Sequence, residues 1–167
     1  MSSQDNQDLS RAYIDGFEFA RDGRHLQGVI PLANMGRLAD LVLDQDGELA
    51  CQIVGEQDRS GEFLQLRVAG VLNLCCQRCL GALSFPLQVR NRLRLMRPGA
   101  EWPEDDLEDD AADAVEATKE MLLLPLIEEE VLLALPIAPR HEACTTPTAA
   151  EKDQALSPFS ALAKLKK

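Results

Sequence analysis

The stretch that decides the fold is residues 62–97, which read EFLQLRVAGVLNLCCQRCLGALSFPLQVRNRLRLMR. Its first half is rich in apolar residues, and its second half alternates apolar side chains with arginines. A period of two is typical of a strand with one buried face. Between the halves lies Cys76-Gln77-Arg78-Cys79, followed by Leu80 and a glycine. The segment therefore predicts two antiparallel strands, over 62–74 and 83–97, with the cysteines at the tip of their hairpin.

The segments on either side of this hairpin predict further strands and helices. Residues 49–55 have the pattern of another strand, separated from 62–74 by a turn-like stretch. Residues 32–39 space apolar side chains at three and four, which suits one or two helical turns. Pro125 suits the first turn of a helix that ends before Pro136. We predict an α+β fold: an antiparallel sheet or a partly closed β-barrel with a few packed helices.

Charge is distributed unevenly along the 167 residues, whose formal net charge is −11. Residues 101–120 hold ten acidic side chains and one lysine, so this segment alone carries −9 and the remainder is nearly neutral. We interpret about 99–114 as a long solvated acidic loop. The remaining organisation is a disordered N-terminus over 1–10, a single domain over 11–144, and a linker with a basic amphipathic tail over 145–167.

Several classes of protein are disfavoured by this sequence. The chain opens without the basic region and apolar core of a signal peptide, and no apolar run approaches the roughly 18 residues of a membrane span. An odd number of cysteines, five, favours reduced thiols. We therefore expect a cytoplasmic protein that does not contact a membrane. There is no Gly-rich phosphate loop, no G-x-S-x-G and no H-E-x-x-H, so an enzyme is not predicted.

The cysteines at the hairpin tip have the spacing of a zinc knuckle. A structural zinc site needs four ligands, and Cys76 and Cys79 supply two. Far downstream, His141 and Cys144 stand at H-x-x-C spacing and are candidates for the other two. Two alternatives stay open: free cysteines without metal, and a redox pair, although a redox C-x-x-C usually opens a helix. Cys75 complicates the choice of ligands.

The arginines of the second strand form a stripe on one face. Arg90, Arg92 and Arg94 alternate with apolar residues and are candidates for contacting RNA phosphates. Arg78 at the tip and Arg67 on the neighbouring strand widen this patch. The alternatives are an ordinary solvated sheet face, or a face covered by the acidic loop. The tail adds three further candidates: Lys164, Lys166 and Lys167.

A set of short motifs resembles one protein family. They are Cys76-Gln77-Arg78-Cys79-Leu80, residues 128–136 (EEEVLLALP) with the following Pro139, His141 and Cys144, and the terminal Pro158-Phe159, Leu162-Ala163 and Leu165-Lys166. Together they resemble the bacterial YceD family, the large ribosomal RNA subunit accumulation proteins, over about residues 12–167. Some relatives carry more cysteines in the C-terminal part, in zinc-ribbon style, whereas here only Cys144 is present.

The resemblance implies a non-enzymatic ribosome biogenesis factor needed for accumulation or processing of 23S rRNA. Its implied partners are large-subunit rRNA or a pre-ribosomal particle, and a large-subunit ribosomal protein is a further candidate. Two other functions remain open at this stage. One is an adaptor or chaperone for a basic ribosomal protein, and the other is a thiol redox sensor. No cofactor is certain, and structural zinc is the one candidate.

Overall fold

The structure is a computed structural model that describes residues 7–101 and 112–146. Its elements form one five-stranded sheet, one two-stranded sheet and two helices. In chain order they are β1 (Tyr13–Ile14), α1 (Gly16–Arg21), β2 (His25–Pro31), 3₁₀ turns at Leu32–Asn34 and Gly36–Leu38, β3 (Glu48–Asp58), β4 (Gly61–Cys75), β5 (Ala82–Met96), β6 (Asp113–Glu116), β7 (Met121–Leu122) and α2 (Leu123–Ala134).

The large sheet has the strand order β2-β3-β4-β5-β6, and β1 pairs with β7 in the small one. The pairs from β2 to β5 are antiparallel, so the antiparallel α+β prediction is confirmed. Within the described residues the sheet stays open and does not close into a barrel. The predicted strands over 62–74 and 83–97 correspond to β4 and β5, which pair from Phe63–Arg94 to Cys75–Ala82 and place C-x-x-C at their tip.

Two stretches differ from the sequence prediction. The predicted acidic loop extends to about residue 114, but Asp113–Glu116 form β6 and pair in parallel with the end of β5. Residues 7–10, expected in a disordered N-terminus, run beside β2, where the Leu9 amide donates to the Val29 carbonyl and the Leu9 side chain is fully buried. In both places backbone pairing with a neighbouring strand orders a segment whose composition alone suggests a solvated chain.

The core lies on one face of the large sheet, which we call the inner face. Alternate residues of β3, β4 and β5 point into it and pack against the helices, the 3₁₀ turns and Leu9. Its largest fully buried side chains include Leu49, Ile53, Leu64, Leu66, Leu72, Leu87, Leu93 and Leu123. Burying each such side chain stabilises the fold by roughly 1.5–3 kcal/mol. Helix α1 reaches β3 at Gly55, where a Cβ atom would overlap the Phe19 carbonyl oxygen.

Helix α2 packs two acidic side chains along with its apolar ones. Glu128 and Glu130 are both buried, at 6% and 7% exposure. Glu128 accepts a hydrogen bond from the Arg37 amide, and Glu130 accepts one from the Asn91 side chain. These hydrogen bonds offset part of the cost of burying the two carboxylates of the helix. Among the described residues no helix has the length and apolar character needed to cross a membrane.

Candidate functional site

The hairpin between β4 and β5 ends in a tight turn built around the cysteines. The Cys76 amide donates to the Gly81 carbonyl, and the Leu80 amide donates back to the Cys76 carbonyl, each at 2.9 Å. To close this turn Leu80 adopts φ +60°, the left-handed region that side chains with a Cβ rarely occupy. The turn aims the amides of residues 78 and 79 at the Cys76 sulfur, as a zinc knuckle does.

The segment after α2 returns to this tip and completes the site. The Gln77 amide donates to the Pro139 carbonyl at 2.8 Å, and the Arg78 guanidinium donates to the Cys144 carbonyl at 3.3 Å. His141 has its Nε2 atom 2.9 Å from the Ala82 carbonyl oxygen. A proton on Nε2 satisfies that contact and leaves the Nδ1 lone pair facing the cysteines. Arg78 thus has a structural partner inside the molecule.

The four candidate ligands converge at one point. Their donor atoms all lie within 4.8 Å of one another. Sγ of Cys76 is 3.7 Å from Sγ of Cys144, and Sγ of Cys79 is 3.4 Å from Nδ1 of His141. Tetrahedral zinc with bonds of about 2.3 Å to sulfur and about 2.0–2.1 Å to nitrogen places neighbouring donors about 3.5–3.8 Å apart. The Cys₃His set therefore has the donor chemistry and the spacing of a structural zinc site.

The electrostatics of the tip favour a thiolate at Cys76. Hydrogen bonds from backbone amides, that of Cys79 first, lower the Cys76 pKa to about 5. Burial, together with the neighbouring sulfurs, raises the pKa of Cys144. The cluster thus brings sulfur atoms together around a point where they could bind one positive ion. Cys75 lies outside the cluster, with its thiol near the carbonyls of residues 76 and 80.

The arginine stripe is divided into one side chain that faces solvent and two that are bound within the molecule. Arg92 pairs with Asp58 at 2.7 Å and with Glu56 at 3.6 Å. Arg94 donates to the Ser60 carbonyl at 3.0 Å. Arg90 is exposed and lies directly opposite Arg67 on β4. The structure therefore brings Arg90 together with Arg67, whereas Arg92 and Arg94 belong to the contacts of the β3–β4 turn.

Other side chains of this face are not evident from the sequence. We call the face opposite the core the outer face; Gln27, Gln52 and Gln88 share it with Arg67 and Arg90 because of the strand register. Alternation along β5 identifies its own outward residues, but no signal in the chain gives the residues opposite them. The tail lysines Lys164, Lys166 and Lys167 and acidic residues 102–111 lie outside the described residues, so their predicted roles stay predictions.

Comparison with known proteins identifies the family. The sequence model of the family described as "Large ribosomal RNA subunit accumulation protein YceD" matches residues 64–166, more than half of the chain. No curated protein and no solved structure matches the chain. The matched region begins in β4 and includes the cysteine tip, β5, α2 and all four residues of the Cys₃His cluster. The chain belongs to the YceD family, the large ribosomal RNA subunit accumulation proteins.

Proposed function

We propose that this protein is a non-enzymatic ribosome biogenesis factor that acts in the cytoplasm. It supports accumulation of 23S rRNA by binding large-subunit rRNA or a precursor of the large subunit. The observation that carries the proposal is the family match over residues 64–166, because the family's description names the process, accumulation of large-subunit ribosomal RNA. Exposed arginines on an open sheet face support direct contact with RNA, because RNA affinity derives largely from cationic side chains on phosphates.

The Cys₃His cluster serves this function as a structural centre for zinc. Cys76, Cys79, His141 and Cys144 would hold the ion, which would supply a crosslink between the hairpin tip and the segment after α2. Hydrogen bonds from the Gln77 amide and the Arg78 guanidinium already bring that segment to the tip. All four donors are protein side chains, and a closed set of this kind is typical of structural zinc rather than catalytic zinc.

The test is a sucrose-gradient comparison of a wild-type strain with one that lacks this gene. We expect the deletion strain to lose mature 23S rRNA, and tagged protein to sediment with precursors of the large subunit. A strain that expresses Cys79→Ser should show a partial defect, and Cys75→Ser should match wild type. Unchanged 23S rRNA in the deletion strain would refute the proposal. A defect in which purified protein binds a basic ribosomal protein and no rRNA would instead favour the adaptor function.

A further inference from the structure

The outer face of the large sheet carries a straight row of polar side chains across four strands. Gln27 on β2 lies opposite Gln52 on β3. Gln52 lies opposite Arg67 on β4, and Arg67 lies opposite Arg90 on β5. With about 4.8 Å between neighbouring strands, the row is about 14 Å long. Register alone thus aligns two amides and two guanidinium groups.

The neighbouring row on the same face is built from small side chains. Ala50 on β3 lies opposite Ala69 on β4, and both are exposed. Because the alanines stop short of the longer side chains beside them, they form the floor of a depression of about 420 Å³. Gln88 on β5 borders it opposite Ala69. The depression therefore has an apolar floor and a rim of amides and arginines.

The arginines of this rim have no acidic partner in the part of the chain that the structure describes. Within residues 7–101 and 112–146, Arg67 and Arg90 make no ion pair or hydrogen bond through their side chains, and no carboxylate lines the depression. Like charges directly opposite each other on paired strands are destabilising. An anion placed between the two guanidinium groups would remove that repulsion and gain charge-assisted hydrogen bonds.

We propose that this depression binds a nucleotide of single-stranded RNA. Arg67 and Arg90 would hold its phosphate, and the base would lie against Ala50 and Ala69 with its edge toward the glutamine amides. The inference rests on the proposed function and adds to it the site and the form of RNA. Amides both donate and accept, so they suit the donors and acceptors on base edges. Single strands are required because the bases of an RNA duplex are stacked and paired.

The direct test uses the full chain and a short fluorescently labelled RNA of mixed sequence, offered as a single strand and as a duplex. Binding is followed by fluorescence anisotropy at several salt concentrations. The variant Arg67→Gln/Arg90→Gln should bind the single strand about ten-fold more weakly or worse. Its salt slope should fall by about 0.7, because the neutralisation of one phosphate of a single strand is lost. The duplex should bind more weakly than the single strand to the wild type.

Two further variants separate the site from total charge. Arg11→Gln/Arg59→Gln removes the same two charges from exposed positions away from the depression, and it should bind within about two-fold of wild type. Ala69→Leu fills the floor without changing charge, so it should weaken binding and leave the salt slope unchanged. Far-UV circular dichroism checks that each variant is folded. Equal binding by the two double variants would overturn the inference, as would capture of an acidic peptide but no RNA.

Failure of the site and failure of the function give different results in cells. If the Arg67→Gln/Arg90→Gln strain keeps normal 23S rRNA while the deletion strain loses it, the depression is not the RNA site and the proposed function stands. If the deletion strain itself keeps normal 23S rRNA, the proposed function fails. The proposed function and the proposed RNA site are both supported if the deletion strain and the Arg67→Gln/Arg90→Gln strain lose 23S rRNA and the Arg11→Gln/Arg59→Gln strain keeps it.

Discussion

The guanidinium carbon of Arg92 lies 3.7 Å from the centroid of the Phe63 ring and covers it. Phe63 is only 3% exposed although it belongs to the outer face of the sheet. The same guanidinium pairs with Asp58 and Glu56, so one arginine shields the ring and neutralises two carboxylates beside it. This residue of the arginine stripe therefore stabilises the β3–β4 hairpin, and its neighbour Arg90 remains available for a ligand.

Replacing Arg92 by Ala should destabilise the protein, whereas Arg90→Ala should not. Loss of the cation–π contact, of partly exposed ion pairs and of the cover over Phe63 should together lower the free energy of unfolding by about 1–2 kcal/mol. Arg90 has no such contacts among the described residues, so its variant should stay within about 0.5 kcal/mol of wild type. Urea unfolding followed by circular dichroism measures both values. Equal losses for the two variants would contradict the assignment of separate roles.

The Cys₃His cluster predicts one tightly bound zinc ion per chain. Native mass spectrometry of protein purified without chelator should detect it, and a strong chelator should lower the thermal midpoint. Cys79→Ser and His141→Ala should each lose most of the zinc, because a structural site needs all four ligands. Cys75→Ser is the matched control, since this thiol lies outside the cluster, and it should keep the full zinc content. Full retention of zinc by Cys79→Ser would show that the four residues do not form the site.

Local patterns in the sequence predicted the hairpin and the ligand cluster, and long-range pairing explains what they did not predict. The alternation in β5 is a property of consecutive residues, so its faces are evident from the chain itself. The cluster could be proposed because C-x-x-C and H-x-x-C spacings limit which residues can share an ion. The contact of Arg92 with Phe63 depends on the register of β4 against β5, and the acidic residues of β6 become a strand only because β5 offers its edge.

Because the Glu130 carboxyl is buried, removing its charge should stabilise the fold by an amount that depends on pH. Its pKa is raised above 4.5, chiefly by burial and then by Asp113 and Glu129, although a hydrogen bond from Asn91 opposes the shift. The folded chain therefore holds this proton to higher pH than the unfolded chain does. The stability that Glu130 contributes is highest below its unfolded pKa. It falls as the pH rises through the raised folded pKa, and above that pKa this contribution is lost completely.

Glu130→Gln should therefore stabilise the protein at neutral pH. The amide oxygen still accepts the bond from Asn91, and the cost of burying a charge is gone. We expect a gain of about 1 kcal/mol, which raises the thermal midpoint by roughly 2–4 °C at pH 7.5. The difference should shrink as the pH falls through the raised folded pKa, and it should be smallest below the unfolded pKa, where Glu130 is protonated in both states. Glu120→Gln, at an exposed position, is the control for the change in net charge. A lower midpoint for Glu130→Gln at pH 7.5 would mean that the carboxylate itself stabilises the fold.

The packing of α1 on β3 predicts that Gly55→Ala is severely destabilising. A Cβ at this position would overlap the Phe19 carbonyl oxygen and come within 2.8 Å of the Ala20 Cα, and both are backbone atoms that cannot move aside as a side chain can. Helix α1 would have to shift away from the sheet, at a cost of about 3 kcal/mol or more. Gly36→Ala is the matched control, because a Cβ there meets nothing within 4 Å and its backbone needs no positive φ. Urea unfolding should therefore give a large loss for Gly55→Ala and a change within about 0.5 kcal/mol for Gly36→Ala. Similar stabilities for the two variants would mean that α1 does not pack on β3 through Gly55.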